Sequence, residues 1–196
     1  MSLIIGLCGP EGAGKSTVAK LLARKRNASI IPFAAPLKAM AAALGIPGRN
    51  IYGTDKDKAK PLALLGGKSA RWALQTLGTQ WGRMCMDADL WVRAWASRVD
   101  SEPSADCIVA DDVRFNNETA EIHRRGGFMI CVVRSMDDFD RVPQHQSEDF
   151  AALKIDGIII NNGSFEKLDH ALGELLSLMQ HRHDPVYETA CTLPAE

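Results

Sequence analysis

Residues 3–17 read Leu3-Ile-Ile-Gly-Leu-Cys8-Gly9-Pro-Glu11-Gly12-Ala13-Gly14-Lys15-Ser16-Thr17, and this stretch decides the fold. A short apolar run meets a glycine-rich turn. The run has the length and composition of a strand buried on both faces. Beyond the turn, Val18, Leu21 and Leu22 recur at helical spacing, which predicts a helix over Ser16–Arg26. The turn itself matches G-x-x-x-x-G-K-[ST] from Gly9 to Ser16, in the strand-then-helix context that gives this pattern its meaning. Glycines allow consecutive backbone N–H groups to face inward around phosphate oxygens, and the helix start adds its positive dipole end. A lysine in this place suits β- and γ-phosphates, and the following hydroxyl suits Mg²⁺. Gly9, Glu11, Gly12, Ala13, Gly14, Lys15, Ser16 and Thr17 are therefore the candidate binding loop for ATP, with Ser16 a candidate Mg²⁺ ligand. Glu11 brings a carboxylate into the loop, so its side chain must face away from the phosphates. A second glycine pair, Gly66-Gly67-Lys68-Ser69, lacks the first glycine of the pattern and reads as a loop entering a helix N-cap.

Working outward, further apolar runs fall at Ser29–Phe33, Cys107–Ala110, Phe128–Val133 and Ile155–Ile160. Helical patterns lie between and after them, at Leu37–Leu44, Ser69–Leu77, Asp89–Val99, Asn116–Arg125 and Ser164–Gln180. Gly78 is expected to stop the third of these, and Trp91 and Trp95 to pack in a core. Residues 46–68 show no periodicity and are expected to be exposed and mobile. Strands alternating with helices predict an α/β fold, a five-stranded parallel sheet between helical layers. Ligands in such sheets sit at the carboxyl ends of the strands. The expected organisation is one domain over 1–180. Its core is 1–33 and 100–180, a helical insertion occupies about 34–99, a short lid about 135–149, and a loose tail 181–196.

Composition sets the outer limits. The 196 residues carry a formal net charge of −1, with 46 % hydrophobic and 24 % charged residues. That is the profile of a folded soluble domain and excludes a disordered chain. Near-neutral charge argues against a sequence-independent nucleic-acid binder. No apolar run approaches the roughly 18 residues of a membrane span. The five cysteines are odd in number, form no Cys-x-x-Cys pair, and read as reduced core residues of a cytoplasmic protein. A homodimer is left open by composition.

The polar residues after the strands carry the remaining chemistry. Asp111 and Asp112 close the Cys107–Ala110 run, where a carboxylate can hold Mg²⁺ directly or through water. Adjacent side chains there diverge, so one metal is expected to engage only one of the two. Arg114 follows at bidentate reach of a second phosphate. Arg134 closes the next strand, and Arg141 and His145 follow on a polar stretch suited to cover a phosphoryl group.

Several segments together resemble the phage-type deoxynucleoside monophosphate kinases, within the P-loop NTPase, nucleoside monophosphate kinase-like fold. They are Ala35-Pro36-Leu37-Lys38, Arg71-Trp-Ala-Leu-Gln75-Thr-Leu-Gly-Thr79, Asp112-Val-Arg114, His145-Gln-Ser-Glu148 and Asn161-Asn-Gly-Ser164. They keep the family's order from residue 3 to about 180. The resemblance implies transfer of the ATP γ-phosphoryl group to a deoxynucleoside monophosphate. It implies that Lys15, Asp112, Arg114 and Arg134 act at the transfer and that Asn161 lies near the adenine. Lys38, Arg71, Gln75, Thr79, Arg114 and His145 would hold the acceptor. Two departures bear on base selectivity: the segment before Arg71 is shorter than in the phage kinases, and Gln80 stands where an acidic residue is expected. A dephospho-coenzyme A kinase remains the alternative, with a non-catalytic nucleotide-binding module behind it.

Overall fold

The computed structural model describes residues 2–102, 104–139, 150 and 152–181. His145, Arg141, most of the expected lid and the tail after 181 lie outside the described residues. The strands are β1 (Leu3–Cys8), β2 (Ala28–Ile30), β3 (Cys107–Ala110), β4 (Phe128–Val133) and β5 (Gly157–Ile160). They form one sheet in the order β2-β3-β1-β4-β5, every pair parallel. The chain divides into two compact units, 1–30 with 105–196, and 31–104.

In the first unit, β1 lies at the centre with five of its six residues buried. Residues pointing to one side, Ile5 and Leu7, join Val109, Ile130 and Val132 in the core. Against them pack α1 (Lys15–Arg26), through Val18, Leu21 and Leu22, and the last helix α9 (Phe165–His181), through Leu168, Leu172, Leu176 and Met179. The other side is covered by α7 (Asn116–Arg124), whose Ile122 is fully buried. Gly6 faces that helix, and a Cβ there would collide with Met129 and Ile122. The edge strands are short and partly exposed, which is why their expected limits, Ser29–Phe33 and Ile155–Ile160, exceed the observed ones.

The second unit holds α2 (Ala35–Ala43), α3 (Gly48–Tyr52), α4 (Asp55–Ala59), α5 (Ala70–Gln75) and α6 (Leu90–Asp100). Trp95 stacks on Phe33 with ring centroids 4.5 Å apart and donates its indole N–H to the Ile31 carbonyl at 2.7 Å. Trp91 is also buried, so both tryptophans serve the core as expected. Two expectations need correcting. Residues 46–68 are mostly exposed, as expected, but they carry short helices, and Ile46 and Ile51 are buried with Ala41 and Ala70 in a small core. The helices there are five residues each and set by caps, such as Thr54 with Asp57, so they leave no periodic trace. Gly78 does not stop its helix. The chain runs on in wide π-type turns from Thr76 to Met86, because Trp91 donates to the Gly78 carbonyl at 2.8 Å and fills the space beside Gly82.

Candidate active site

The glycine loop leaves β1 at its carboxyl end and enters α1. Gly9, Gly12 and Gly14 all have positive φ. At two of them the space is as demanding as the angle. A Cβ on Gly9 would overlap the Val132 carbonyl oxygen, and one on Gly14 would overlap the Asn161 side-chain amide. Gly14 is the N-cap of α1, and no side chain caps the helix. The positive end of α1 is thus presented by backbone alone, which suits an anion. Glu11 is exposed, as a carboxylate in such a loop must be.

Lys15 folds back over the loop. Its Nζ donates to the carbonyls of Gly9 at 2.7 Å and Pro10 at 2.8 Å. Burial, and then the positive charge of Arg114, press its ammonium below the ordinary lysine value, while Asp111 pulls the other way. Lys15, Arg114 and Asp111 therefore share one field at the ends of β1 and β3.

The segment carrying Asp112 and Arg114 is fixed by a residue the sequence reading missed. Glu118, on α7, is 3 % exposed. Its Oε2 accepts from the backbone N–H of Arg114 at 2.8 Å and of Phe115 at 3.2 Å. The Val113 N–H, one residue earlier, donates to Leu7 of β1 at 3.1 Å. A glutamate three residues into a helix was the available signal, as half of a capping box.

Arg134 and Asn161 both reach the outer side of the loop. Arg134 donates through Nε and Nη2 to the Gly12 carbonyl at 3.3 and 3.2 Å, and through Nη1 to the Asn161 carbonyl at 2.6 Å. Asn161 donates through Nδ2 to the Ala13 carbonyl at 2.8 Å. A carbonyl and the N–H of the next residue point in opposite directions across a trans peptide. Holding the Ala13 carbonyl outward therefore aims the Gly14 N–H to the opposite side of the loop.

Beneath the loop, Cys8 and Cys131 face each other in register on β1 and β4. Their mutual hydrogen bond and burial push the Cys8 thiol up. Among the described residues the cysteines are free and no cluster of metal-ligating side chains occurs. Among them also, no helix is long and apolar enough to cross a membrane.

In the second unit, Lys38 lies on α2, Arg71 and Gln75 on α5, and Thr79 in the π-type turns. Lys38 Nζ sits 5.7 Å from the ring centroid of Tyr52, and Arg71 Nη2 donates to Asp55 at 2.9 Å. Tyr52 and Asp55 belong to the segment that the sequence showed only as aperiodic.

A family model described as "Deoxynucleotide monophosphate kinase" matches residues 66–172, more than half of the chain. That range holds Arg71, Gln75, Thr79, Asp112, Arg114, Arg134 and Asn161. The chain is also similar to a protein of Acanthamoeba polyphaga mimivirus described as "Putative deoxynucleotide monophosphate kinase". The two are 29 % identical over 176 residues, 84 % of this chain and 91 % of the viral one.

Proposed function

Because the chain belongs to the deoxynucleotide monophosphate kinase family, we propose that it transfers the γ-phosphoryl group of Mg-ATP to a deoxynucleoside monophosphate, releasing ADP and the deoxynucleoside diphosphate. The observation that carries this reading is the glycine loop itself, where Lys15 folds back over an α1 N-terminus capped by no side chain.

The residues fit the groups the reaction needs. Gly9, Glu11, Gly12, Ala13, Gly14, Lys15, Ser16 and Thr17 would hold the ATP phosphates, mostly through backbone N–H groups. Ser16 and one carboxylate of the Asp111–Asp112 pair would hold Mg²⁺, which when bound neutralises phosphate charge. Asp112, which the family resemblance assigns to the metal or to positioning the acceptor, would be that carboxylate. Lys15 and Arg114 stabilise charge that spreads over the moving phosphoryl oxygens. Arg134 and Asn161 orient the loop from outside, and Asn161 would lie near the adenine. Lys38, Arg71, Gln75 and Thr79, in the 34–99 insertion, would bind the acceptor, with His145 joining from a lid over about 135–149. No general base is required, since the attacking phosphate is already ionised.

The test is a coupled ADP-release assay with Mg-ATP. The acceptors are the four common deoxynucleoside monophosphates, a hydroxymethylated pyrimidine deoxynucleotide, the four ribonucleotides and dephospho-coenzyme A. Turnover of deoxynucleotides is expected. Turnover of dephospho-coenzyme A alone would replace the reading, and silence across the panel with ATP binding intact would leave a nucleotide-binding module.

A further inference from the structure

Two side chains expected at the acceptor, Lys38 and Arg71, come from different helices and converge on one short stretch, Tyr52 to Asp55. Lys38 sits over the Tyr52 ring, and Arg71 is bonded to Asp55. Asp55 lies three positions beyond Tyr52, so their Cα atoms are at most about 11 Å apart. Tyr52 is 64 % exposed. A lone exposed aromatic is ordinary. An exposed ring under one cation assigned to the acceptor, and three positions from the ion-pair partner of another, is not, because a nucleotide pairs an anion with a flat aromatic base.

The stretch is also held in place before any ligand arrives. Asp57 Oδ2 accepts from the Thr54 N–H at 3.1 Å and the Thr54 hydroxyl at 2.6 Å. Its other oxygen accepts from Arg49 at 2.6 Å, and Asn50, itself buried, donates to the Asp57 carbonyl at 2.7 Å. These bonds fix the exit of α3, and with it the base of the Tyr52 side chain. A platform ordered in advance loses less entropy on binding.

We propose that Tyr52 is the stacking platform for the base of the acceptor nucleotide, and so a specificity-determining residue. This rests on the kinase reading given above. Arg71 and Lys38 take the acceptor's anionic end, and the ring takes its base. Stacking grows with shared ring area, so purine acceptors depend on Tyr52 more than pyrimidine acceptors do.

The experiment compares Tyr52→Ala and Tyr52→Phe with the unaltered protein. It measures KM for each deoxynucleoside monophosphate, KM for ATP and thermal stability. Tyr52→Ala should raise acceptor KM roughly ten-fold or more, and further for purines than pyrimidines. KM for ATP and Tm should be unchanged, and Tyr52→Phe should behave as the unaltered protein. An active unaltered enzyme with no acceptor effect in Tyr52→Ala overturns the platform and leaves the kinase reading standing. An equal loss for all acceptors, with a fallen Tm, also overturns it by making Tyr52 structural. No turnover of any deoxynucleotide by the unaltered protein overturns both.

Discussion

Replacing Asn161 by alanine separates two ways in which this residue can serve ATP. The side chain has one recorded bond, Nδ2 to the Ala13 carbonyl at 2.8 Å, in a residue only 7 % exposed. Ala13 itself is 1 % exposed, so its carbonyl has little access to replacement water. Leaving such a group unpaired costs about 1–3 kcal/mol. The backbone carbonyl of Asn161 still accepts from Arg134 in the variant, so half of the brace survives. For a chain of this size about 1 kcal/mol moves Tm by roughly 2–4 °C, so a fall of about 2–12 °C is expected. The freed peptide between Ala13 and Gly14 no longer presents the Gly14 N–H in a fixed direction. If about 1–2 kcal/mol of the loss appears in triphosphate binding, KM for Mg-ATP rises roughly 5- to 30-fold. The assay is coupled ADP release at saturating acceptor, repeated with GTP as donor. A residue that steadies the loop weakens both donors by the same factor. A residue that reads adenine weakens ATP alone and narrows the preference between donors. Unchanged Tm together with unchanged KM for both donors would refute the reasoning.

Three further perturbations follow from the same geometry. Lys15→Met should abolish phosphoryl transfer while holding Tm within a few degrees, because burial and Arg114 already disfavour the ammonium; an active Lys15→Met enzyme would remove the loop from the mechanism. Arg114→Ala should lower kcat/KM for the acceptor by about 2–4 kcal/mol in transition-state terms, with ATP binding retained, and an unchanged acceptor profile would count against its role. The third concerns pH. Arg124, and then Arg125, hold the Glu121 carboxyl below its ordinary value of 4.5, so its contribution to stability is present above that pH and lost as pH falls through the lowered value. Glu121→Gln should therefore melt lower than the unaltered protein at pH 7, and the gap should close in acid; a gap constant with pH would show that the ion pairs contribute nothing.

The sequence displays the sheet and the phosphate loop because each rests on local chemistry. β1 is an unbroken apolar run; Gly9, Gly12 and Gly14 are demanded by φ, and Gly9 and Gly14 by close neighbours as well. Helices α1 and α9 keep one apolar face and are visible as period. The stretch from 46 to 68 is hidden for the opposite reason. Its helices are too short to repeat an apolar position, and what orders them is a set of side-chain bonds, Thr54 and Asp57 above all. Gly78 misleads because glycine commonly ends a helix, whereas here Trp91, thirteen residues later, takes up its carbonyl. Glu118 was legible only as half of a capping box and not as a site residue, because its partners are backbone N–H groups, which every sequence possesses.

The charged residues of the first unit divide by what they touch. Arg134 and Asn161 are turned toward carbonyls on the outside of the loop, and Lys15 toward the carbonyls of Gly9 and Pro10 within it. Glu118 does the complementary work on the neighbouring segment, accepting the N–H groups of Arg114 and Phe115. Carbonyls are thus held by cations and an amide, and N–H groups by a carboxylate, before any phosphate is bound. A site prepared in this way does not have to reorganise its dipoles as charge moves, which is the largest electrostatic advantage a phosphoryl-transfer site can have. It also explains why Glu118, which faces backbone and not ligand, should matter to transfer. Without it the loop bearing Arg114 loses two fixed N–H groups, and the guanidinium that presses on Lys15 loses its fixed base.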